Sequence, residues 1–504
     1  MSSPALSAPQ HDVRRRPEAQ RWWALGVIAL AQLMVVLDAT IVSIALPSAQ
    51  RDLGLTDGSR QWVVTAYTLA FGGLLLLGGR IADLVGRKRA FIVGLVGFAA
   101  ASALGGAATG PAMLFAARAL QGCFAALLAP TALSLLATTF TDGRERAKAF
   151  GIFGALAGAG GGIGLLLGGV LTQYLDWRWC LYVNVAIAAA AVTGAVAFLE
   201  DRAGHRAVRF DVPGVVLGSG GLVTVVYAVS RADSDGWGSG PVVGLLAAGV
   251  VLLAVFTWWQ SRATSPLLPL RIIASRAHGA PMLTLSLAMV GLFGVFLFLT
   301  YYLQNILGYS ALKGGFAFLP MSACIVLTST QVSARLLPHV APRLLIAPGL
   351  AIAAIGMFTF TSLGTDSGYA THVLPGALLL GFGMGLVFMP VMATATSGVG
   401  PADAGITAAA VNTAQQVGGS LGTALLNTIA TTSTGHYVAS RLSARDGRLT
   451  AARHHAIADA GVVHGFTTAF WCAGVITLVG ALTAALLVNA PSPRHRAAAV
   501  GTAA

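Results

Sequence analysis

Charge is what this sequence has least of. Only 10% of its 504 residues are Asp, Glu, Lys or Arg, and Asp and Glu together number 18. A soluble domain carries about 25% charged residues, so this chain cannot coat a core of its size with polar surface. A soluble enzyme, a disordered chain and a collagen-like rod are excluded on that ground. Cysteine is scarce as well: Cys123, Cys180, Cys324 and Cys472 lie in separate apolar runs. No disulfide framework and no metal-ligand spacing follows, and no metal site is expected. No G-x-G-x-x-G and no P-loop after a strand is present, so nucleotide binding and ATP-driven work by this chain alone are unsupported. Lysine is nearly absent, with Arg outnumbering Lys 28 to 3. With the abundant Ala and Gly, that hints at a GC-rich bacterial genome.

Apolar residues make up 56% of the chain, and the mean hydropathy is +0.77. Apolar stretches near 20 residues recur from end to end, the length that crosses a hydrocarbon core of about 30 Å. The class that fits is an all-α polytopic membrane protein with the lipid bilayer as its solvent. Fourteen spans are expected, near 22–47, 61–79, 90–108, 111–137, 149–174, 179–199, 212–230, 241–259, 279–302, 314–334, 344–363, 371–397, 404–431 and 465–489. The basic arm Arg14, Arg15, Arg16 and Arg21 precedes an apolar run too long for a signal peptide and without a cleavage site, so that run reads as the first span. The net charge of +13 does not indicate nucleic acid, because the cations are scattered among short loops.

Orientation follows from those cations. With the N-terminus in the cytoplasm, 21 of the 31 Lys and Arg fall inside and nine outside, leaving Arg118 within a span. Both termini are then cytoplasmic, with tails at 1–21 and 490–504. Segment 432–464, with Arg441, Arg445, Arg448 and Arg453, is an extracellular loop against the trend.

The two halves resemble each other. Leu53-Gly54-Leu55-Thr56 returns as Leu307-Gly308-Tyr309-Ser310, and Pro130 has a counterpart in Pro390, offsets of 254 and 260 residues. A same-sense offset implies parallel repeats about an axis along the membrane normal. Residues 22–199 and 279–489 then form two six-helix bundles. Residues 200–278, with spans 7 and 8, are an insertion between them. Function is expected at the bundle interface near the midplane.

Inside the spans the strongly charged residues are Asp38 and Arg118. Asp38 lies nine residues before Pro47 and Arg118 seven after Pro111, which places them roughly 13 and 10 Å below the same surface. Both are costly in hydrocarbon and should face a polar interior or each other. A carboxyl in such a place suits a proton carrier; the alternative is a fixed ion pair holding helices together. Gln121 shares the helix face of Arg118 and either orients it, binds substrate or is merely satisfied. In 79–89, Gly79 and Gly86 suit a tight turn, Arg87 and its neighbours favour the cytoplasmic face, and Asp83 is the odd anion. Asp83 on a helix N-terminus would latch the cytoplasmic side. Span 5 carries two ladders of small residues, Gly154/Gly158/Gly162 and Gly160/Gly164/Gly168, which permit close helix contact. In the second half Tyr301, Tyr302, Gln304 and Asn305, with Asn412, Gln415 and Gln416, line a candidate apolar and aromatic pocket for a lipophilic, perhaps cationic molecule. Their alternative role is helix–helix hydrogen bonding.

Four motifs together resemble the major facilitator superfamily, in its fourteen-span drug:proton antiporter branch. They are Leu37-Asp38-Ala39-Thr40-Ile41-Val42-Ser43-Ile44-Ala45-Leu46-Pro47, the run Gly79 to Arg89, Arg118-Ala119-Leu120-Gln121-Gly122, and Asp176-Trp177-Arg178-Trp179 with Asn184. The resemblance implies the superfamily's fold. It implies a proton-coupled exporter in the bacterial cell membrane, working as a monomer, with the proton gradient as energy source and no cofactor. It implies proton coupling at Asp38 and Arg118, and gating at Asp83. Two departures stand out: Leu165 follows Gly164 where the antiporter motif has a Pro, and Ala186 replaces a Pro after Asn184. A proton-independent facilitator or importer of the same fold is the rival reading. A membrane sensor or enzyme would want an acidic or histidine cluster at a membrane face, and a channel a recurring filter; neither is apparent.

Overall fold

The computed structural model describes residues 18–140, 143–200, 211–264, 266–267, 270–396, 404–443 and 451–489. Among them no strand is present, and fourteen long helices follow one another. We number them α1 (Glu18–Leu53), α2 (Trp62–Val85), α3 (Arg87–Gly106), α4 (Pro111–Thr139), α5 (Gly143–Tyr174), α6 (Trp179–Phe198) and α7 (Val212–Asp235). The series continues with α8 (Gly240–Arg262), α9 (Gly279–Tyr301), α10 (Ala311–Leu327), α11 (Arg343–Thr359), α12 (Leu374–Thr396), α13 (Ala404–Ser443) and α14 (Ala451–Leu487). Among the described residues eleven helices are long and apolar enough to cross a membrane; α2, α5 and α13 are as long but fall outside that set, and α2 offers a shorter apolar run, Trp62–Leu75.

Packing repeats itself eight helices on. The pairs α1–α5, α1–α6, α2–α4, α3–α4 and α3–α6 have counterparts in α9–α13, α9–α14, α10–α12, α11–α12 and α11–α14. The two sets meet through α2 against α13 and α5 against α10. Helix α7 lies on α2 and α13, while α8 packs chiefly on α7. Asp211 ties that pair together. Its carboxylate caps α7 at Gly214 N (2.9 Å) and accepts from Trp259 Nε1 and Gln260 Nε2 of α8, each at 2.6 Å.

Small residues set the closest approaches, because without a side chain two backbones can touch in lipid. A Cβ on Gly164 or on Gly168 would come 2.9 Å from the carbonyl oxygen of Leu37 or of Ile41 on α1, and one on Gly160 3.0 Å from Val36. That ladder faces α1, whereas Gly162 faces Leu319 and Ser322 of α10 at 3.8 Å. The placement of Gly154 and Gly158 lies outside the described residues. On α13, Gly418 and Gly422 lie against the backbone of Ser286 and Val290 of α9 in the same way.

Two expectations from sequence need correction. The run 79–89 is not a loop opened by two glycines. Helix α2 continues through Gly79 to Val85, because Ile81, Ala82, Leu84 and Val85 extend its apolar surface, and α3 begins at Arg87. The whole turn is made at Gly86, whose φ of 100° is a conformation that side chains resist. Within 432–464 the described residues are helical rather than irregular: α13 runs on to Ser443 and α14 starts at Ala451.

The two glycines therefore predict different outcomes. Gly86→Ala forces a strained φ and should cost about 1–3 kcal/mol, read as a lower unfolding midpoint in detergent. Gly79→Ala adds a methyl that meets Pro130 in ordinary contact at 3.6 Å, and its midpoint should not fall.

Candidate functional site

Asp38 sits midway along α1, in the interior of the first set of helices. It is 0% exposed, and Arg118 of α4 is 1% exposed. Their side chains meet at 2.7 Å, Arg118 Nη1 to Asp38 Oδ2. The second carboxylate oxygen accepts from Asn184 Nδ2 of α6 at 2.8 Å and from Gln121 Nε2 at 3.1 Å. Both amides also donate to Ser102 Oγ of α3, at 3.1 and 3.0 Å, and that hydroxyl donates to Leu181 O at 2.7 Å. Arg118 spends its other donors within the same site. Nη1 reaches Gln121 Oε1 at 2.8 Å and Nε reaches the Val63 carbonyl of α2 at 2.9 Å. The guanidinium carbon lies 4.5 Å from the centre of the Tyr67 ring. Helices α1, α2, α3, α4 and α6 thus converge on one charge pair.

Three donors face the ionised form of Asp38, and one of them is a cation. A proton arriving on the carboxyl would cancel its charge and strip Arg118 of its counter-ion at a buried site. Two buried polar atoms beside the pair, the Tyr67 hydroxyl and Asn184 Oδ1, have no hydrogen-bond partner.

The sequence motifs and this geometry agree with the comparisons to known proteins. The Major Facilitator Superfamily model matches residues 28–423. The chain belongs to the Major Facilitator Superfamily. It is a multi-pass membrane transporter and not an enzyme. It is 53% identical to the puromycin resistance protein of Streptomyces alboniger, over 94% of this chain and 92% of that one. It is 43% identical to the cephamycin export protein of Amycolatopsis lactamdurans, over 81% of this chain and 84% of that one. The tetracenomycin C resistance and export protein of Streptomyces glaucescens is 35% identical, over 84% of this chain and 77% of that one. Among solved structures, a bacterial homologue of the human lysosomal transporter Spinster, inward-facing and occupied, covers 94% of this chain and 97% of its own. Its TM-score is 0.65 at 15% identity, a likeness of fold.

Superfamily membership makes the placement of the other candidate residues informative. Gln121 belongs to the charge-pair network, as described. Tyr301, Tyr302, Gln304 and Asn305 follow one another at the end of one helix. They end α9 at the same end of the molecule as the α1–α2 loop, the last three on a single π-helical turn. Tyr302 donates to Gly364 O at 2.7 Å, Gln304 Nε2 donates to Ile44 O of α1 at 3.0 Å, and Asn305 is exposed. Asn412, Gln415 and Gln416 are half-buried on α13, where Gln416 abuts Gly72 of α2. Arg87 is half-buried at the head of α3; the side chain of Asp83 lies outside the described residues.

Arg118 was expected to be the one buried cation, and that expectation fails. Arg60, counted among the loop charges, is only 4% exposed. Ser102 and Tyr67 also escaped notice, because a serine among small residues and a tyrosine in an apolar run carry no spacing signal. For Arg60 the available signal was its position, immediately before the apolar run of α2.

The charge pair predicts a thermodynamic signature. Asp38→Ala or Arg118→Ala leaves an uncompensated buried charge and should cost about 3–5 kcal/mol. The double variant should lose less than the sum, measured by unfolding in detergent. Strict additivity would show that the two charges do not depend on each other.

Proposed function

We propose that this transporter is a proton-coupled exporter of amphipathic, lipophilic or cationic small molecules of antibiotic type, in the fourteen-span drug:proton antiporter branch. One observation carries the reading: the Asp38–Arg118 pair lies fully buried inside one half of the molecule. Intramembrane charge is expensive and is retained where it works. Relatives named for puromycin resistance and for cephamycin export support the class of cargo and the outward direction.

The architecture suits alternating access. The recurring helix pairs support two six-helix bundles, 22–199 and 279–489, with α7 and α8 inserted between them. The eleven apolar helices together with α2, α5 and α13 supply fourteen spans. The distribution of Lys and Arg favours a cell-membrane protein with both termini in the cytoplasm. On that orientation the α1–α2 end is external, and the structure is closed there.

In this mechanism Asp38 takes a proton from outside. Its negative charge disappears, and Arg118 is left to the partners it already has, Gln121, Val63 O and the Tyr67 face. The helices gripped by the pair loosen, and the bundles rock. Release of the proton inside restores the pair. Cargo passes along the seam of α2 with α13 and α5 with α10, where Asn412, Gln415 and Gln416 offer polar contacts. The proton gradient is the energy source, and the unit is a single chain without a cofactor. Gly79, Asp83, Gly86 and Arg87 would form the cytoplasmic gate.

A second reading has one observation in its favour. Asp38 is so completely satisfied by three donors that it could serve as a fixed strut, leaving a proton-independent facilitator. Transport in everted vesicles separates the two, with puromycin first in a panel of cationic and neutral drugs. Uptake should collapse when the proton gradient is dissipated. Asp38→Asn should abolish gradient-driven uptake, by at least about a hundredfold, while the protein still inserts; the unit charge it removes carries the coupling. Uptake that survives both treatments supports the facilitator.

A further inference from the structure

Arg60 has no part in the charge-pair network, yet it is, with Arg118, one of two buried cations among the described residues. It stands one residue before Gln61 at the start of α2, at the seam between the two sets of helices. Its guanidinium carbon lies 4.0 Å from the centre of the Tyr301 ring of α9 and 5.8 Å from that of Phe466 of α14. Nε donates to Asn427 Oδ1 of α13 at 3.4 Å, and Nη1 to Asp57 Oδ1 at 2.9 Å. The Asn427 amide grips the α1–α2 loop a second time, donating from Nδ2 to Asp57 O at 3.0 Å.

We propose that Arg60 is the latch of the outer gate, a guanidinium just ahead of α2 that plugs into an aromatic and amide socket formed by Tyr301, Phe466 and Asn427 of the second half. The proposal rests on the orientation and transport reading given above.

Three features make this contact a latch rather than a permanent weld. The first is where the charges sit. The counter-ion Asp57 belongs to the same loop as Arg60, and its side chain is 61% exposed. The second half contributes only neutral groups. Arg60 can therefore leave the socket with its counter-ion attached, and no unpaired charge stays behind. The second is strength. A desolvated cation over an aromatic face, with one long hydrogen bond, biases a two-state equilibrium by roughly tenfold to a hundredfold, the range of a reversible switch. The third is connection. Val63, one helical turn further along α2, gives its carbonyl to Arg118. The first turns of α2 are thus held on one side by the Asp38 site and on the other by the second half.

The latch is a positioning element, so its test reads conformation directly. The full chain is reconstituted in nanodiscs with the four native cysteines replaced by alanine. Spin labels go on Gly110→Cys and Gly435→Cys, at the external ends of the two halves, where an added Cβ meets nothing within 4 Å. Arg60→Gln should lower the ratio of closed to open mouth about tenfold in the distance distribution. Arg60→Lys, which keeps the cation over the ring, should retain most of the closed population. Tyr301→Leu removes the ring face and should act like Arg60→Gln; it decides the matter if Arg60→Gln does not fold. An unchanged distribution in the folded variants overturns the latch. Drug uptake that survives loss of the proton gradient would sink the antiport reading and leave this measurement standing.

Discussion

A carboxylate and a guanidinium with no access to water can be kept only by each other. That constraint organises the first half of the molecule. Asp38 alone would cost several kcal/mol to bury, and so would Arg118; together, and with three donors on the carboxylate, they become a point that helices can be built around. Gln121 and Asn184 each touch both the carboxylate and Ser102, so one serine hydroxyl fixes two amides. The Val63 carbonyl adds α2 to the assembly. Close packing at Gly164 and Gly168 then brings α5 onto α1, and the position of Asp38 relative to the seam follows.

The second half has the same helix pairs without the charge pair. Its polar groups serve contacts between helices and across the seam: Gln304 on the α1 backbone, Thr413 on Gly72 O at 3.2 Å, Asn427 on the α1–α2 loop. One bundle carries an ionisable centre, and the other supplies neutral surface for it to move against. The asymmetry matches the sequence, which has no counterpart to Asp38 near Leu292, a buried apolar residue of α9.

Much of this was readable before any coordinates. Apolar run length located the long helices, and depth counted from Pro47 and Pro111 brought Asp38 and Arg118 to one level. The i, i+3 relation added Gln121. What escaped has physical reasons. The polar residues Arg80 and Asp83 interrupt hydropathy but not helix geometry, so α2 appeared six residues too short. Arg60 looked like a loop charge because burial by a partner 367 residues away leaves no local trace. Tyr301, Tyr302 and Gln304 were legible as special residues, but their contacts with Arg60, Gly364 and Ile44 depend on how the end of α9 packs.

The way charge is paired also determines what the membrane voltage can act on. Arg60 moves with Asp57, and Arg118 faces Asp38, so each pair is electrically neutral and shifting it in the field does almost no work. A proton on Asp38 changes that sum to one positive charge, on which the field does about 2.3 kcal/mol of work per 100 mV for a full crossing. With a neutral cargo, electrical driving force would then act on this site through its protonated state.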